Sequence, residues 1–247
     1  MLESRLDYYI IMDYDCGLMK IPLTKFGMPE VAVYPIGLLA AMAGAYFLRG
    51  FVSPDWAYLI AEAILAIVLI WVLSFFRDPK RAVPQEKNLI ISPADGTVSD
   101  IEELKKADGF DGPVLRIGIF LSIFNVHINR APCDVKIDKI QYKPGLFKNA
   151  ISPDSAKVNE SNDIYMTKLN QPKDKLLVRQ ISGAIARRIV CKAVVGDKFL
   201  AGDQFGMIKF GSRTEIYIPM RENLKNQVKI GDKTKAGLTI LARYENA

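Results

Sequence analysis

Two stretches near the start of the chain constrain its fold more than anything that follows. Residues 31–48, VAVYPIGLLAAMAGAYFL, carry no charge, and residues 57–76, AYLIAEAILAIVLIWVLSFF, carry only Glu62. A helix needs about 17 to 25 apolar residues to cross a bilayer, and each stretch has that length. The link RGFVSPDW is too short for a domain, so the spans predict an antiparallel transmembrane hairpin over 31–76. Lys20 and Lys25 precede the pair, Arg77, Lys80 and Arg81 follow it, and only Arg49 lies in the link. By the positive-inside tendency both ends are cytoplasmic, which places the rest of the chain on the cytoplasmic face of the cell (inner) membrane. Trp71, Phe75 and Phe76, followed by RDPKR, put aromatic rings at the interface and cations beside the headgroups. Glu62 sits in the first third of its span, where a carboxylate can snorkel to the surface. The competing reading is a hydrophobic hairpin buried in a soluble core.

Residues 1–30 read as an N-terminal cytoplasmic segment. The first eighteen are acidic in balance, with Glu3, Asp7, Asp13 and Asp15, and lack the basic start and apolar core of a secretory signal. They read as an extension ahead of Met19 and the amphipathic KIPLTKFG. A net charge of +6 and a pI near 9.1 call for an anionic partner. The aromatic-plus-basic patterns of nucleic-acid modules are absent, which leaves an anionic membrane surface and no nucleic acid. Cys16, Cys133 and Cys191 are widely spaced, and His127 is the single histidine. That usage suits a reducing compartment and leaves a His/Cys zinc site almost nothing to be built from, so no metal is expected.

From Asn88 onward the pattern changes to short alternating runs, such as PVLRIGIFLSI, CDVKIDKIQYK, DKLLVRQIS, AIARRIVCKAVV, RTEIYIPM and LTILARY, punctuated by Gly, Pro, Asp and Asn. These are strands separated by turns, and no helical pattern of comparable clarity lies among them. VVGDKFLAGDQFGMIKF and KIGDKTKAGLTILARY share a frame in which Gly196, Asp197, Ala201 and Gly202 match Gly231, Asp232, Ala236 and Gly237. Each unit reads as a Gly-Asp turn, a short step, a second glycine turn and a strand. Together they resemble the barrel-sandwich folds of biotinyl and lipoyl carriers, without a lysine at the acceptor position of an exposed hairpin. The expected class is mainly β: a barrel-sandwich-like domain over 77–247, preceded by the helical hairpin.

Three places in this β region could carry chemistry. Asp95, in SPADGTV, stands at the natural centre of an Asp-Gly turn. His127, in FLSIFNVHINRAP, closes an apolar run before a proline turn. Gly211-Ser212-Arg213 joins two alternating runs, where a hairpin would ordinarily use Asn-Gly, Asp-Gly or Gly-Gly. From the residues alone, Ser212 is as open to a structural role as to a chemical one.

FFRDPKR, SPADGTV, FLSIFNVHINRAP, YKPGLFKNA and GAIARRIVCKAVVGDKFLAGDQFGMIKFGSR follow one another behind the paired spans. In that order they resemble the short form of the phosphatidylserine decarboxylase family, over roughly residues 19 to 243. The resemblance implies a zymogen that cleaves itself between Gly211 and Ser212, giving a β chain of 1–211 and an α chain of 212–247. Ser212 would attack the Gly211 carbonyl and be converted to a pyruvoyl group, the cofactor, with glycine leaving the chain free to turn and the carbonyl open. His127 would serve as general acid and base, with Asp95 orienting it. The pyruvoyl carbonyl would then form a Schiff base with phosphatidylserine and draw off electrons as carbon dioxide leaves, giving phosphatidylethanolamine. Arg187, Arg188 and Arg213 are candidate contacts for the lipid's phosphate or carboxylate. Assembly into a homodimer is left open.

Two departures stand out. Longer bacterial and eukaryotic members carry a second histidine three residues after the first, where this chain has Arg130, and they often have Gly-Ser-Thr or Gly-Ser-Ser where it has Gly-Ser-Arg. Short forms with Gly-Ser-Arg include archaetidylserine decarboxylases, which would run the same chemistry on a different lipid backbone. A membrane-anchored serine hydrolase built on Asp95, His127 and Ser212 is a second class, although no Gly-x-Ser-x-Gly elbow surrounds Ser212. A non-enzymatic barrel-sandwich carrier is a third, and it leaves Ser212 and His127 without roles.

Overall fold

The computed structural model describes residues 22–51, 55–148, 158–183, 188–209 and 211–245. The expected extension over residues 1–18 lies outside the described residues, as does Arg187. Helices α1 (Glu30–Leu48) and α2 (Asp55–Phe75) begin and end within two residues of the spans expected from composition. Both are long and apolar enough to cross a membrane. Most of their side chains, Ile36, Phe47, Ile67 and Ile70 among them, face outward. So much bare apolar surface suits a lipid environment and not a soluble core, so the hairpin is not the buried one of the competing reading. One Glu62 carboxylate oxygen is buried without a hydrogen-bond partner among the described residues.

Among the described residues, one end of the hairpin packs on the β domain. Val31, Val72, Phe75 and Phe76 form a small core with Met207, flanked by Phe26, Trp71 and Val190. The chain leaving α2 is then stitched to the β domain. Asp78 accepts from Arg130 Nη2 at 3.0 Å and from Gln204 Nε2 at 2.8 Å, while Arg130 Nη1 reaches the Gly202 carbonyl.

An eight-stranded antiparallel sheet organises the β domain. Its order is β13 (Lys233–Thr234), β2 (Gly96–Leu104), β3 (Val114–Leu121), β11 (Ser212–Pro219), β7 (Lys175–Ser182), β6 (Ser161–Lys168), β5 (Val135–Lys143) and β9 (Lys198–Phe199). Two three-stranded sheets complete it. One runs β1 (Leu89–Ile91), β14 (Ile240–Tyr244), β12 (Leu224–Asn226), and the other β4 (Ile128–Arg130), β10 (Gln204–Ile208), β8 (Ile189–Cys191). The main core gathers Ile117, Ile119, Val178, Ile216 and Ile218 from the large sheet with Ile90, Phe205 and Leu241 from the small ones. Each such side chain contributes about 1.5–3 kcal/mol when fully buried.

The two Gly-Asp units occupy equivalent places. Gly196 and Gly231 have φ of +94° and +95°, and Gly202 and Gly237 have +82° and +76°, the left-handed region that glycine enters without a Cβ clash. Asp197 caps the Val194 amide and Asp232 the Lys229 amide, each at 3.0 Å. The short strands after the first turns, β9 and β13, form the two edges of the large sheet, and β10 and β14 are the middle strands of the two small ones. The chain between the units rises through β11, at the middle of the large sheet, where it pairs with β3 along its full length and with β7 over Ser212–Tyr217.

Candidate active site

Ser212 opens β11, opposite Leu121 of β3 and Ser182 of β7. Its side chain is fully buried, and its Oγ has no hydrogen-bond partner among the described residues. Leaving a hydroxyl in that condition costs about 1–3 kcal/mol, so an orphan of this kind marks a place where structure is not the only demand. Gly211 precedes it with φ +64°, a conformation that a side chain would strain.

His127 stands immediately before β4 and is fully buried. Its Nδ1 lies 2.9 Å from the Asn125 carbonyl, so that nitrogen carries the proton and donates. Nε2 is thereby left as the acceptor, and it receives the Gly211 N–H at 3.3 Å. Asn125 is itself fixed, its side-chain oxygen accepting from the backbone and hydroxyl of Ser122. On its flank the imidazole packs against Phe75, the last residue of α2, with ring centroids 4.5 Å apart. Burial pushes the His127 pKa down to about 4; the Asn125 carbonyl works the other way, and the Arg77 guanidinium adds to the depression. The ring is therefore neutral at physiological pH, with its free lone pair aimed at the amide one residue before Ser212.

The expected triad is not assembled. Asp95 receives Arg81 Nη2 at 2.9 and 3.2 Å and the Ala236 N–H at 2.7 Å, and it forms no hydrogen bond to His127. Its carboxylate ties the strap that follows α2 to the turn of the second Gly-Asp unit, while a backbone carbonyl does the orienting expected of it. Nor does His127 hydrogen-bond to Ser212 Oγ, since that atom has no partner.

Of the three arginines expected near substrate, Arg188 is exposed and Arg187 lies outside the described residues. Arg213 is fully buried and points to the opposite face of the sheet from Ser212, as adjacent strand residues must. Its Nε meets Glu215 at 3.0 Å, Nη1 meets Ser99 Oγ at 2.7 Å and Nη2 meets Asp100 at 2.6 Å. Arg116 joins the same two acids, and Tyr217 donates to Glu215 at 2.7 Å. This leaves Arg213 no surface for a lipid. Gly118 on β3 makes the room, because a Cβ there would collide with Arg213 Nη2.

The family model for phosphatidylserine decarboxylase matches residues 68–242, which spans every one of these groups. The chain belongs to the phosphatidylserine decarboxylase family. It is therefore an enzyme, a decarboxylase. A phosphatidylserine decarboxylase proenzyme of Rhodopirellula baltica is 38% identical over 228 residues, covering 92% of this chain and 90% of the relative. One from Desulfotalea psychrophila is 39% identical over 224 residues, 91% of this chain and 97% of its own length. A third, from Carboxydothermus hydrogenoformans, is 41% identical over 182 residues, 74% of this chain and 84% of the relative.

This phosphatidylserine decarboxylase family member also has a polar chain beside the serine that sequence reasoning missed. Thr214 Oγ1 accepts from Asn129 at 3.1 Å, Asn129 accepts from Gln180 at 2.9 Å, and Gln180 accepts from Asn162 at 3.1 Å. Gln180 carried a usable signal: in LLVRQIS it alternates in phase with the core residue Val178. Phe75 and Asn125 carried none, because nothing local marks which ring or which carbonyl meets a distant histidine.

Proposed function

We propose that this chain is a pyruvoyl-dependent decarboxylase that converts phosphatidylserine to phosphatidylethanolamine and carbon dioxide, after cutting its own precursor between Gly211 and Ser212. The observation that carries the reading is the buried, unpartnered Ser212 Oγ directly behind a left-handed glycine, with the neutral Nε2 of His127 on the N–H of that glycine, one peptide unit before the bond to be cut.

These residues suit the cofactor's origin. A hydroxyl with no partner has no hydrogen bond to break before it attacks the Gly211 carbonyl carbon. In that step the Oγ–C bond forms, the C–N bond to Ser212 breaks, and the released amine takes a proton while an ester replaces the amide. His127 Nε2 is the base we assign to this step, and to act on Oγ it would give up its long contact to the Gly211 N–H. The same nitrogen then removes the Ser212 α-proton, and elimination expels the Gly211 carboxylate. Hydrolysis of the remaining enamine by water releases ammonia and leaves the ketone at position 212. When formed, the pyruvoyl group supplies an electron sink for decarboxylation. The chain's own part in turnover is to hold position 212 on the central strand, exclude water through the surrounding core, and return a proton from His127 to the substrate carbon that loses carbon dioxide. Asp95 acts indirectly, by keeping Arg81 and the Ala236 turn in place.

A hydrolase reading is less well supported, since its triad calls for a carboxylate behind Nδ1, where His127 has the Asn125 carbonyl. We place the β domain at the cytoplasmic face, where the basic residues flanking the hairpin meet anionic headgroups. Intact mass of purified protein tests the whole reading. Two chains are expected, 1–211 and 212–247, the second blocked at its N-terminus, while Ser212→Ala remains one inactive chain. Fully active protein with a single uncleaved mass would overturn it. Offering phosphatidylserine and archaetidylserine side by side then reads out the lipid backbone.

A further inference from the structure

The end of the hairpin does more than touch the β domain, because its contacts converge on the parts of the site that the reaction uses. Phe75 closes α2 with its ring against His127, backed edge-on by Phe76 at 5.1 Å and, at a tilt, by Trp71 at 5.9 Å. Arg77 follows, donating to the Ser74 carbonyl at the helix end and to the Phe124 carbonyl at 2.8 Å, beside the Asn125 that orients Nδ1. From the other helix, Glu30 in the first turn of α1 receives the buried ammonium of Lys209 at 2.7 Å, two residues before Gly211. The imidazole, the loop behind it and the strand leading to the scissile bond are each held by a residue of the hairpin or of the strap that leaves it.

We propose that Phe75 is the positioning residue for His127, so that the membrane-spanning hairpin is a structural wall of the self-cleavage site as well as an anchor. The proposal rests on the self-cleaving reading above. Its physical basis is water exclusion. An aromatic ring packed on an imidazole fixes the ring plane and removes solvent from one face, and burial is the main reason the histidine holds its lone pair down to a pH of about 4. Of the charged groups nearby, Arg77 opposes protonation too, while Lys209 is paired with Glu30 and Asp95 with Arg81. Truncating Phe75 opens that face to water, raises the histidine pKa toward its ordinary 6.5 and loosens the angle at which Nε2 meets the Gly211 peptide.

His127 is the chain's only histidine, so it can be watched alone in untagged protein. The titration uses full-length Ser212→Ala precursor labelled at histidine, in phosphatidylglycerol vesicles, and the cleavage rate is taken from intact mass of the Ser212 protein. With Phe75→Ala we expect the ring's midpoint to move from about 4 toward 6.5 and self-cleavage to slow about tenfold or more. Phe75→Leu, which keeps the site dry, should restore the midpoint and bring the rate within about threefold of the parent. Phe47→Ala, far along α1 on an exposed face, should change neither. An unmoved midpoint in Phe75→Ala overturns the proposal, whether or not cleavage slows, because a purely structural role would leave the titration alone. If Phe75→Ala does not fold, Phe75→Val replaces it: a partial shift of the midpoint supports the proposal, and an unmoved midpoint overturns it. Failure of the parent itself to cut at Gly211-Ser212 would sink the self-cleaving reading, whereas a parent and Phe75→Ala that cut alike would sink this inference only.

Discussion

The two faces of β11 differ sharply in how their polar groups are satisfied. On one, Ser212 has a buried hydroxyl with no partner. On the other, one residue along, each nitrogen of the Arg213 side chain has an oxygen within 3.0 Å. Thr214, Ile216 and Ile218 continue the first face, into the polar chain and the core, while Glu215 and Tyr217 continue the second, into the ion network. The contrast shows how an unsatisfied residue can be kept in place: its sequence neighbour is held by three hydrogen bonds that fix the strand. An unpartnered hydroxyl and a saturated ion network are thus separated by the pleat of a single strand.

The largest change should come from the reactive face. His127→Gln, which keeps a polar side chain and removes the base, should slow self-cleavage by about 10²- to 10⁴-fold, followed by the appearance of the 212–247 chain in intact mass. Next comes the saturated face. Arg213→Leu leaves Asp100 and Glu215 buried beside only Arg116, and stability should fall by about 3–5 kcal/mol. Gly118→Ala should act in the same direction by driving a methyl group against the guanidinium, and urea midpoints in the uncleaved Ser212→Ala background measure both. If Arg213→Leu were as stable as its parent, the division of labour between the faces would fail.

The smallest effect is one of acidity. His127 has a folded pKa near 4 against an ordinary 6.5, so the folded state binds fewer protons than the unfolded chain between those values. The stability this residue contributes is fully present above pH 6.5, falls as the pH drops through the window, and is gone below about 4. The loss is on the order of 3 kcal/mol, and it should disappear from the pH dependence of the urea midpoint in His127→Gln.

Features that depend on local composition were legible in the sequence. The hairpin's ends came within two residues, because span length and apolar content are properties of a contiguous stretch. The repeated Gly-Asp frame became two turns with matching left-handed glycines, because that turn is chosen by the residues in it. Pairings across the fold were not legible. Asp95 in an Asp-Gly turn looked like an orienter of His127 by analogy with other triads, yet its partners are Arg81 and an amide 141 residues away. Phe75 looked like an interfacial aromatic and proved to be the ring against the histidine. Arg213, a candidate contact for the lipid's phosphate or carboxylate, is instead buried in an ion network on the face opposite Ser212, where strand alternation puts it.

Because β11 lies between β3 and β7, a cut before Ser212 would fall at the edge of nothing. The segment from Ser212 onward also supplies β12, β13 and β14, which pair with β1 and β2 of the other segment as well as with each other. Severing the backbone there would alter covalent connectivity while leaving the strand pairings from Arg213 onward in place. The smaller product could leave only by unfolding the larger one, so its residence time would equal the lifetime of the fold itself.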